Sequence, residues 1–485
     1  MSRISQWSTT AADNDASPPD GWPEGQAPST VNNCAREVMA SVRKDRQDSE
    51  WFDWGDSVTF VSTTSFKIPS SDVSARYLVN RRLKLVDAST VYASIEDVTF
   101  STDTTVTVRV DDGTTLTTSL TQAYIGIDSP TNIATPMQNI YRKNLVIGGN
   151  FQINPWQRGT SFTSVADQTY TADRWQWWQS GAGVVDISRG TSGPTVAQAG
   201  IYADNHLVID VTTADATIGA GDYYQIQYII EGYDFTNIAQ RPFVISFWHA
   251  HTKTGTYTVA IQNSGQDRSY IMEYTQNAAS AWEKTTLTLE NTPSAGTWNY
   301  TTATGLMVWF TVAAGTDFHG AANSWISTND RSTSNQVNAM DSASNFMRFN
   351  LVQIEEGRQA TDFERRTFEE ELLLCQRYYE KSYDVSTSPG TSTATSMVVS
   401  GAGATATDYV NVSVGFQVDK RTAPTVTIYD RAGNSGKATY YNNGVATDNK
   451  SVNSSGIGEK RFVAESDNSS TKNIMGVHFK ADAEL

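Results

Sequence analysis

The sequence predicts a mainly β protein, and its composition and its apolar patterning carry that prediction. The chain has 485 residues, which suggests about three domains. Only 18% of the residues are charged, whereas 13 Trp, 21 Tyr and 18 Phe are present, and this composition favours β-structure. In the middle of the chain, short apolar stretches of period two alternate with polar turns, and no helical pattern of about 10 to 15 residues separates them.

The predicted order of elements is an N-terminal coil and helix, a small β-domain, a jelly-roll-type antiparallel β-sandwich, a short helix and a C-terminal small β-domain. The corresponding segments are 1–56, 57–129, 144–366, 367–383 and 384–485, with a linker over 130–143. The antiparallel sandwich is preferred to an α/β sheet because no helical patterns alternate with its strands.

The N-terminal segment is predicted to dock on a partner. Residues 8–30 contain four prolines among Gly, Asp and Ser, so they cannot build a helix or a core alone. Trp7 and Trp22, the second followed by Pro23, are the candidate docking residues, because exposed indoles in a coil are costly unless they insert into a partner. The alternative is that both indoles fold back on the chain's own first domain. A capped helix follows and runs to about Arg46.

Three groups of short apolar stretches predict the strands of the three β-domains. In the small β-domain they are 58–61, 65–68, 77–79, 84–86, 91–95 and 106–110, followed by a hairpin turn at Asp112-Gly113. In the sandwich they include 223–231, 243–250, 285–290, 305–312 and 346–354. In the C-terminal domain they are 410–418, which alternates strictly, 425–429 and 475–481.

The helix predicted over 367–383 begins with a capping box. Thr367 and Glu370 have the spacing at which a hydroxyl and a carboxylate each satisfy an otherwise unpaired backbone N–H. Capping and the helix dipole then explain the glutamates 369–371 without any catalytic role. One face of this helix carries an apolar stripe, formed by Phe368, Leu372, Cys375 and Tyr379. The stripe either closes the preceding domain or also contacts other copies of the chain in an oligomer.

Charge and cysteine content exclude several classes of partner. The formal net charge is -16, which would repel a nucleic-acid backbone. We find no apolar run of about 18 residues and no secretory signal, so membrane insertion and export are not expected. Cys34 and Cys375 lie in separate predicted domains, and we expect free thiols in a protein made in a reducing cytoplasm.

No motif in the sequence predicts a catalytic residue, a cofactor or a metal. The glycine-rich segment 401–406 matches a dinucleotide fingerprint only formally, because a strand follows it where the fingerprint requires a helix. His249 and His251 share one face of a predicted strand, but no third ligand is evident. Glu355 and Glu356 are adjacent on a strand and should point in opposite directions, which disfavours a glycosidase pair. The protein is therefore expected not to be an enzyme.

Aromatic residues among polar neighbours are the better functional lead. The candidate glycan-binding residues are Trp175, Trp177, Trp298, Tyr300 and Trp325. Sugars stack their C–H faces on such rings while neighbouring Gln, Asn and Thr bind their hydroxyls. The alternative is that these rings fill the core of the sandwich, and Trp298 and Trp325 are the two that this alternative explains least well.

Several stretches resemble segments of bacteriophage tail fibres or tail adaptors that carry a carbohydrate-binding-module-like jelly-roll domain. The sandwich is bracketed by NLVIGGNFQINPWQRGTSF with YTADRWQWW at its start and by QIEEG, ATDFERR and EEELLLCQRYYEKSY at its end. The stretches WSTTAADNDASPPDGWPEGQAPSTVNNCAREVMASVR with EWFDWG, YLVNRRLKLVDASTVYASIEDVTF with TTVTVRVDDGTTL, and DKRTAPTVTIYDRAGNSG with GVHFKADAEL resemble the attachment region, the following module and the terminal domain.

This resemblance implies a virion structural protein of the phage tail, made in the host cytoplasm. It implies that residues 1–56 attach to other tail proteins, an adaptor, a nozzle or a baseplate, and that the protein is a homotrimer. It also implies receptor binding to a host-surface glycan through the sandwich and the C-terminal tip. Three alternatives remain open: a tail-associated glycan depolymerase, a tail adaptor without receptor contact, and a free lectin-like module.

Overall fold

A computed structural model confirms the mainly β, antiparallel architecture. It describes residues 51–111, 114–126, 143–400, 410–442, 444–466 and 474–485. The candidate docking residues Trp7, Trp22 and Pro23, the first predicted helix and the hairpin turn at Asp112-Gly113 therefore lie outside the described residues. The chain divides into two compact units, residues 1–140 and residues 141–485.

The first unit contains one seven-stranded antiparallel sheet. Its strands are β1 (Trp51–Phe52), β2 (Thr59–Ser62), β3 (Ser65–Ile68), β4 (Arg82–Val86), β5 (Thr90–Phe100), β6 (Thr104–Val110) and β7 (Gln122–Gly126). The strand order is β1-β7-β4-β5-β6-β3-β2. Alternate residues, such as Leu83, Leu85, Val106 and Val108, are buried on one face and form the core of this unit.

Two details of this sheet differ from the prediction. Trp51 and Phe52 pair with β7, so the β-domain begins before residue 57. The predicted strand over 77–79 is instead a turn. Tyr77 donates its backbone N–H to the carbonyl of Val73, and its ring is buried. Asn80 then has a φ of 70°, which interrupts an extended chain.

The second unit begins with a β-sandwich of thirteen described strands. They are β8 (Ser161–Phe162), β9 (Thr169–Tyr170), β10 (Trp175–Ser180), β11 (Val184–Gly190), β12 (His206–Thr213), β13 (Tyr223–Glu231), β14 (Phe243–His251), β15 (Gly255–Asn263), β16 (Ser269–Gln276), β17 (Glu283–Leu289), β18 (Thr304–Ala314), β19 (Trp325–Ile326) and β20 (Phe346–Glu356). Short helical turns are α1 (Val196–Ala199), α2 (Gly232–Phe235) and a 3-10 turn (Thr316–Phe318).

The sandwich consists of a seven-stranded sheet, β19-β16-β15-β18-β13-β10-β9, and a six-stranded sheet, β17-β14-β20-β12-β11-β8. All ladder pairings within both sheets are antiparallel among the described strands. Period-two alternation fills the space between them: on β13, Tyr224, Ile226, Tyr228 and Ile230 all belong to the shared core.

The C-terminal small β-domain, for which we use the short name tip, follows helix α3 (Phe368–Gln376). Its strands are β21 (Tyr379–Lys381), β22 (Val398–Val399), β23 (Asn411–Gly415), β24 (Thr425–Tyr429), β25 (Lys437–Asn442), β26 (Val445–Ser455), β27 (Arg461–Ser466) and β28 (Ile474–Asp482). The sheet order is β21-β28-β25-β26-β27-β23, and β22 and β24 also pair with β28. The strand predicted over 410–418 is shorter than its apolar pattern, because the ladder with β27 ends at Gly415.

Helix α3 has the predicted start but not the predicted length. The Thr367 hydroxyl accepts from the N–H of Glu370, and the Glu370 carboxylate accepts from the N–H of Thr367, which confirms the capping box. The helix ends at Gln376, well before residue 383. Tyr379 instead starts β21, opposite Asp482 on β28. The chain therefore pairs with β28 from Tyr379 onwards, although the apolar spacing would allow the helix to continue.

A buried junction joins the sandwich to the tip within the second unit. The Arg174 guanidinium lies 3.5 Å from the centre of the Tyr378 ring and pairs with Glu484. Arg377 and the Tyr378 hydroxyl both donate to Glu231, at 2.6 and 2.7 Å. Arg174, Glu484 and Glu231 are buried and Arg377 is partly exposed, so separating the tip from the sandwich would leave buried charges unpaired.

Candidate functional site

Trp175 and Trp177 are core residues, which corrects the prediction that they belong to a glycan platform. They are 1% and 0% exposed. Both side chains lie on the same face of β10, and that face packs against the second sheet. The Trp175 indole N–H donates to the carbonyl of Gly148 at 3.1 Å, and that of Trp177 donates to the Gln179 side chain at 2.8 Å. Neither ring can stack on a ligand.

The other three candidates come together in one aromatic surface. Trp298 and Tyr300 are each nearly parallel to the buried Phe235, with ring centres 5.2 and 5.7 Å from it. Trp325 meets Trp298 edge to face at 5.9 Å, and Tyr270 lies 5.4 Å from Trp325. We call this surface the aromatic patch; its members are Tyr233, Phe235, Tyr270, Trp298, Tyr300 and Trp325.

Backbone contacts hold the two indoles of the patch in place. The Trp298 N–H donates to the carbonyl of Ala295 at 3.0 Å, and the Trp325 N–H donates to the carbonyl of Asn291 at 2.8 Å. Thr297 is fastened by its N–H and hydroxyl to the carboxylate of Asp267, at 3.1 and 3.0 Å. The rings are therefore fixed before any ligand arrives, which lowers the entropic cost of binding.

Two exposed tyrosines mark the accessible part of the patch. Tyr300 is 40% exposed and Tyr233 is 54% exposed. The Tyr233 N–H donates to the carbonyl of Thr301 at 2.9 Å, which places helix α2 beside the Trp298 loop. Burial, together with the nearby Glu290, raises the pKa of Tyr270, so its hydroxyl remains a neutral hydrogen-bond donor at neutral pH.

Sequence reasoning missed Tyr233, Phe235 and Tyr270. The first two follow strand β13 at a spacing of two residues, and Tyr270 lies inside β16. No local pattern links these three to the loop of Trp298 or to β19. The only available signal was the aromatic pair directly after the β13 prediction, in the turn EGYDF.

Two of the predicted oligomer contacts are buried inside the chain. Cys375 is 1% exposed and packs with Ile147, and Tyr379 is 2% exposed beneath the Arg158 guanidinium at 3.7 Å. Neither can contact another copy, which corrects the prediction for both. The predicted stripe requires one helix to continue through Tyr379, whereas that residue lies in β21. Phe368 is 38% exposed and Leu372 is partly exposed, so these two remain candidates.

The histidine and glutamate pairs have ordinary polar partners. His249 contacts Gln276 at 2.8 Å and Thr285 at 2.9 Å, and His251 contacts the Tyr274 hydroxyl at 2.9 Å. Among the described residues, no group of three or more His, Cys, Asp or Glu could hold a metal ion. Glu355 is buried and Glu356 is exposed, so the two carboxylates point in opposite directions as predicted.

No described helix is long and apolar enough to cross a membrane. No family model matches this chain. No curated protein matches it either.

Among solved structures, the chain is similar to an enzymatically active domain of bacteriophage CBA120 tailspike protein 4, at 13% identity over 44% of this chain, with a TM-score of 0.26. It spans only 22% of that structure. It is also similar to TmCBM61, solved with β-1,4-galactotriose, at 8% identity over 44% of this chain and 99% of that one, with a TM-score of 0.22.

A family 11 carbohydrate-binding module from a cellulosomal cellulase of Clostridium thermocellum is a third similar structure. The identity is 12%, the alignment covers 42% of this chain and 98% of the module, and the TM-score is 0.23.

Proposed function

We propose that this chain is a virion structural protein of a bacteriophage tail fibre, and that it recognises a host-surface glycan with the aromatic patch. The observation that carries the glycan part is the geometry of the patch: fixed rings, two of them nearly parallel, with the exposed Tyr300 and Tyr233 at the surface. The motif resemblance to tail fibres supports the virion part. Attachment of residues 1–56 to other tail proteins and a homotrimeric state belong to the same proposal.

The physical basis is the match between stacked rings and a pyranose. A sugar has C–H faces that pack on aromatic rings and hydroxyls that need polar partners. At the patch, the faces are offered by Trp298 and Tyr300, and polar groups are offered by the Tyr270 hydroxyl and by Asn299 between the two rings. The Asn299 Oδ1 already accepts from Thr301, but an apolar partner would leave the Tyr270 hydroxyl and the Asn299 amide N–H groups without hydrogen bonds.

We further propose that the protein binds without cleaving. Glycoside hydrolysis needs two carboxyl groups about 5 to 10 Å apart on either side of the bond. The adjacent pair Glu355 and Glu356 points to opposite faces, and Glu370 and Glu371 are occupied by helix capping and by Arg366. If the purified protein released oligosaccharides from host capsule or lipopolysaccharide, it would instead be a depolymerase.

Binding of purified full-length variants to host cells tests the glycan part. We expect Tyr300→Ala and Trp298→Ala each to weaken binding about fivefold to tenfold, since losing one ring contact costs about 1 kcal/mol. The matched control is Tyr202→Ala, which removes another exposed tyrosine that makes no ring contact with the patch. Thermal melting verifies that each variant is folded. Wild-type binding by both patch variants would refute the glycan role of the patch.

A further inference from the structure

The outer face of the six-stranded sheet carries a second polar cluster, remote in the fold from the aromatic patch. On three neighbouring strands, the core residues Ile187, Ile209 and Met347 point inward. Their neighbours Asp186, Asp210, Phe346 and Arg348 therefore point outward, and all four are partly exposed. We call Asp186, Asp210 and Arg348 the charged strip.

The two carboxylates of the strip oppose each other. Asp186 on β11 is directly opposite Asp210 on β12 in an antiparallel pair. Like charges in this position destabilise a sheet by a few tenths of a kcal/mol up to about 1 kcal/mol. Burial, reinforced by Asp186, raises the pKa of Asp210 although Arg348 acts in the other direction. The Asp186 carboxylate accepts from the Ser164 N–H at 2.8 Å, whereas the Asp210 carboxylate makes no hydrogen bond within the part of the chain that the structure describes.

The guanidinium of the strip forms no close ion pair with either carboxylate. Arg348 lies over the Phe346 ring at 3.8 Å, on the strand next to Asp210. Among the residues that the structure describes, no oxygen of Asp186 or Asp210 lies within 4.0 Å of an Arg348 nitrogen. The Arg348 Nε is buried and has no hydrogen-bond partner. The Arg348 guanidinium and the carboxylates of Asp186 and Asp210 therefore lie on the same face without hydrogen-bonding to each other.

Aromatic side chains border the strip. Trp248 points outward from β14 and is partly exposed; its neighbour Ala250 is directly opposite Arg348. Trp282 packs edge to face against His206 at 5.1 Å. The His206 Nε2 is buried without a hydrogen-bond partner.

We propose that this face binds a neutral pyranose unit with free vicinal hydroxyls. Hydroxyls both donate and accept, so neighbouring hydroxyls can donate to Asp186 and Asp210 and accept from the terminal Nη atoms of Arg348, since its Nε is buried. The sugar's C–H face can pack on the partly exposed indole of Trp248. A carboxylate would be repelled by the two aspartates, and an ammonium group has no lone pair with which to accept from Arg348, so hydroxyls suit all three side chains better. This site does not depend on the aromatic patch, and either can fail alone.

Titration calorimetry of the purified full-length chain tests the proposal. The probes are neutral gluco-, galacto- and mannooligosaccharides, together with one uronic-acid and one glucosamine oligosaccharide. We expect the wild type to bind a neutral probe, and Asp210→Asn and Arg348→Gln each to weaken that binding at least about fivefold. Arg241→Gln, which removes an exposed arginine paired with Glu356, serves as the control. Tyr300→Ala reports the aromatic patch separately.

Thermal melting distinguishes a binding role from a structural one. Because Asp210→Asn removes a like-charge contact, it should leave the melting temperature unchanged or raise it while weakening binding. Three outcomes would overturn the proposal: no neutral probe binds the wild type, a charged probe binds in preference, or both strip variants bind as the wild type does. A lowered melting temperature in Asp210→Asn would also count against it. Loss of binding in Tyr300→Ala alone would locate the site at the patch and not at the strip.

Discussion

Individual residues in this protein owe their environment to distant parts of the chain. Glu371 is an example. It lies in the first turn of α3, and from the sequence the helix dipole alone would account for a glutamate there. The side chain is buried, accepts from the N–H of Gly148 and pairs with Arg366 at 3.3 Å. Burial raises its pKa, while Arg366 opposes that shift. The carboxylate therefore links the helix to the start of the sandwich.

At the same scale, His206 should make the second unit sensitive to acid. Burial lowers its pKa to about 4 from the ordinary 6.5. Between these pH values the unfolded chain binds a proton that the folded chain does not, so stability is lost as the pH falls from 6.5 towards 4. We expect the wild type to lose about 2 to 3 kcal/mol more than His206→Gln across this range, measured by urea unfolding. Equal losses in both proteins would contradict this.

At the scale of elements, we expect the capping box to contribute to the stability of helix α3. Thr367→Ala removes an acceptor for the Glu370 N–H, and we expect it to lower the free energy of unfolding by about 1 kcal/mol. The measurement is urea unfolding followed by tryptophan fluorescence. Thr195→Ala is the matched control, because Thr195 forms the same box on the four-residue helix α1, which has no buried residues. If both variants lost the same stability, packing of α3 would not be involved.

The segment after α3 shows why a helix can end although its apolar spacing continues. Phe368, Leu372, Cys375 and Tyr379 are spaced for one helix, but Arg377 is already the C-cap. Tyr379 then pairs with β28, and its ring lies under Arg158. Long-range backbone pairing and a cation–π contact outweigh the small propensity that favours another helical turn.

For the whole molecule, the buried junction predicts that sandwich and tip unfold together. Tryptophan fluorescence reports mainly on the sandwich, because nine of the 13 Trp lie in residues 144–366, four lie in residues 1–56 and none lies in residues 384–485. Reactivity of the buried Cys375 thiol reports on the junction; a Cys34→Ser background removes the other cysteine. We expect the two probes to give coincident urea transitions. Glu484→Gln should separate them, since it leaves Arg174 buried without its carboxylate. Separate transitions in the wild type would show that the junction does not couple the two parts.

Local sequence patterns correctly predicted those elements whose type and bounds do not depend on tertiary contacts. Period-two alternation placed β13 at 223–231 and β24 at 425–429, and a hydroxyl three residues before a carboxylate placed the start of α3. These features depend on contacts between residues close in sequence, or on which face of a strand is apolar. The mainly β, antiparallel class followed from the same evidence.

Tertiary structure alone decided which aromatic residues are accessible and which charged residues meet. Trp175 and Trp298 look alike in sequence, both being indoles among polar neighbours. One is enclosed because β10 lies inside a seven-stranded sheet, and the other is partly exposed because its loop lies beside α2 and β19. Likewise, only strand register sets Asp186 opposite Asp210. Burial and pairing depend on segments far apart in the chain, and no local pattern encodes those contacts.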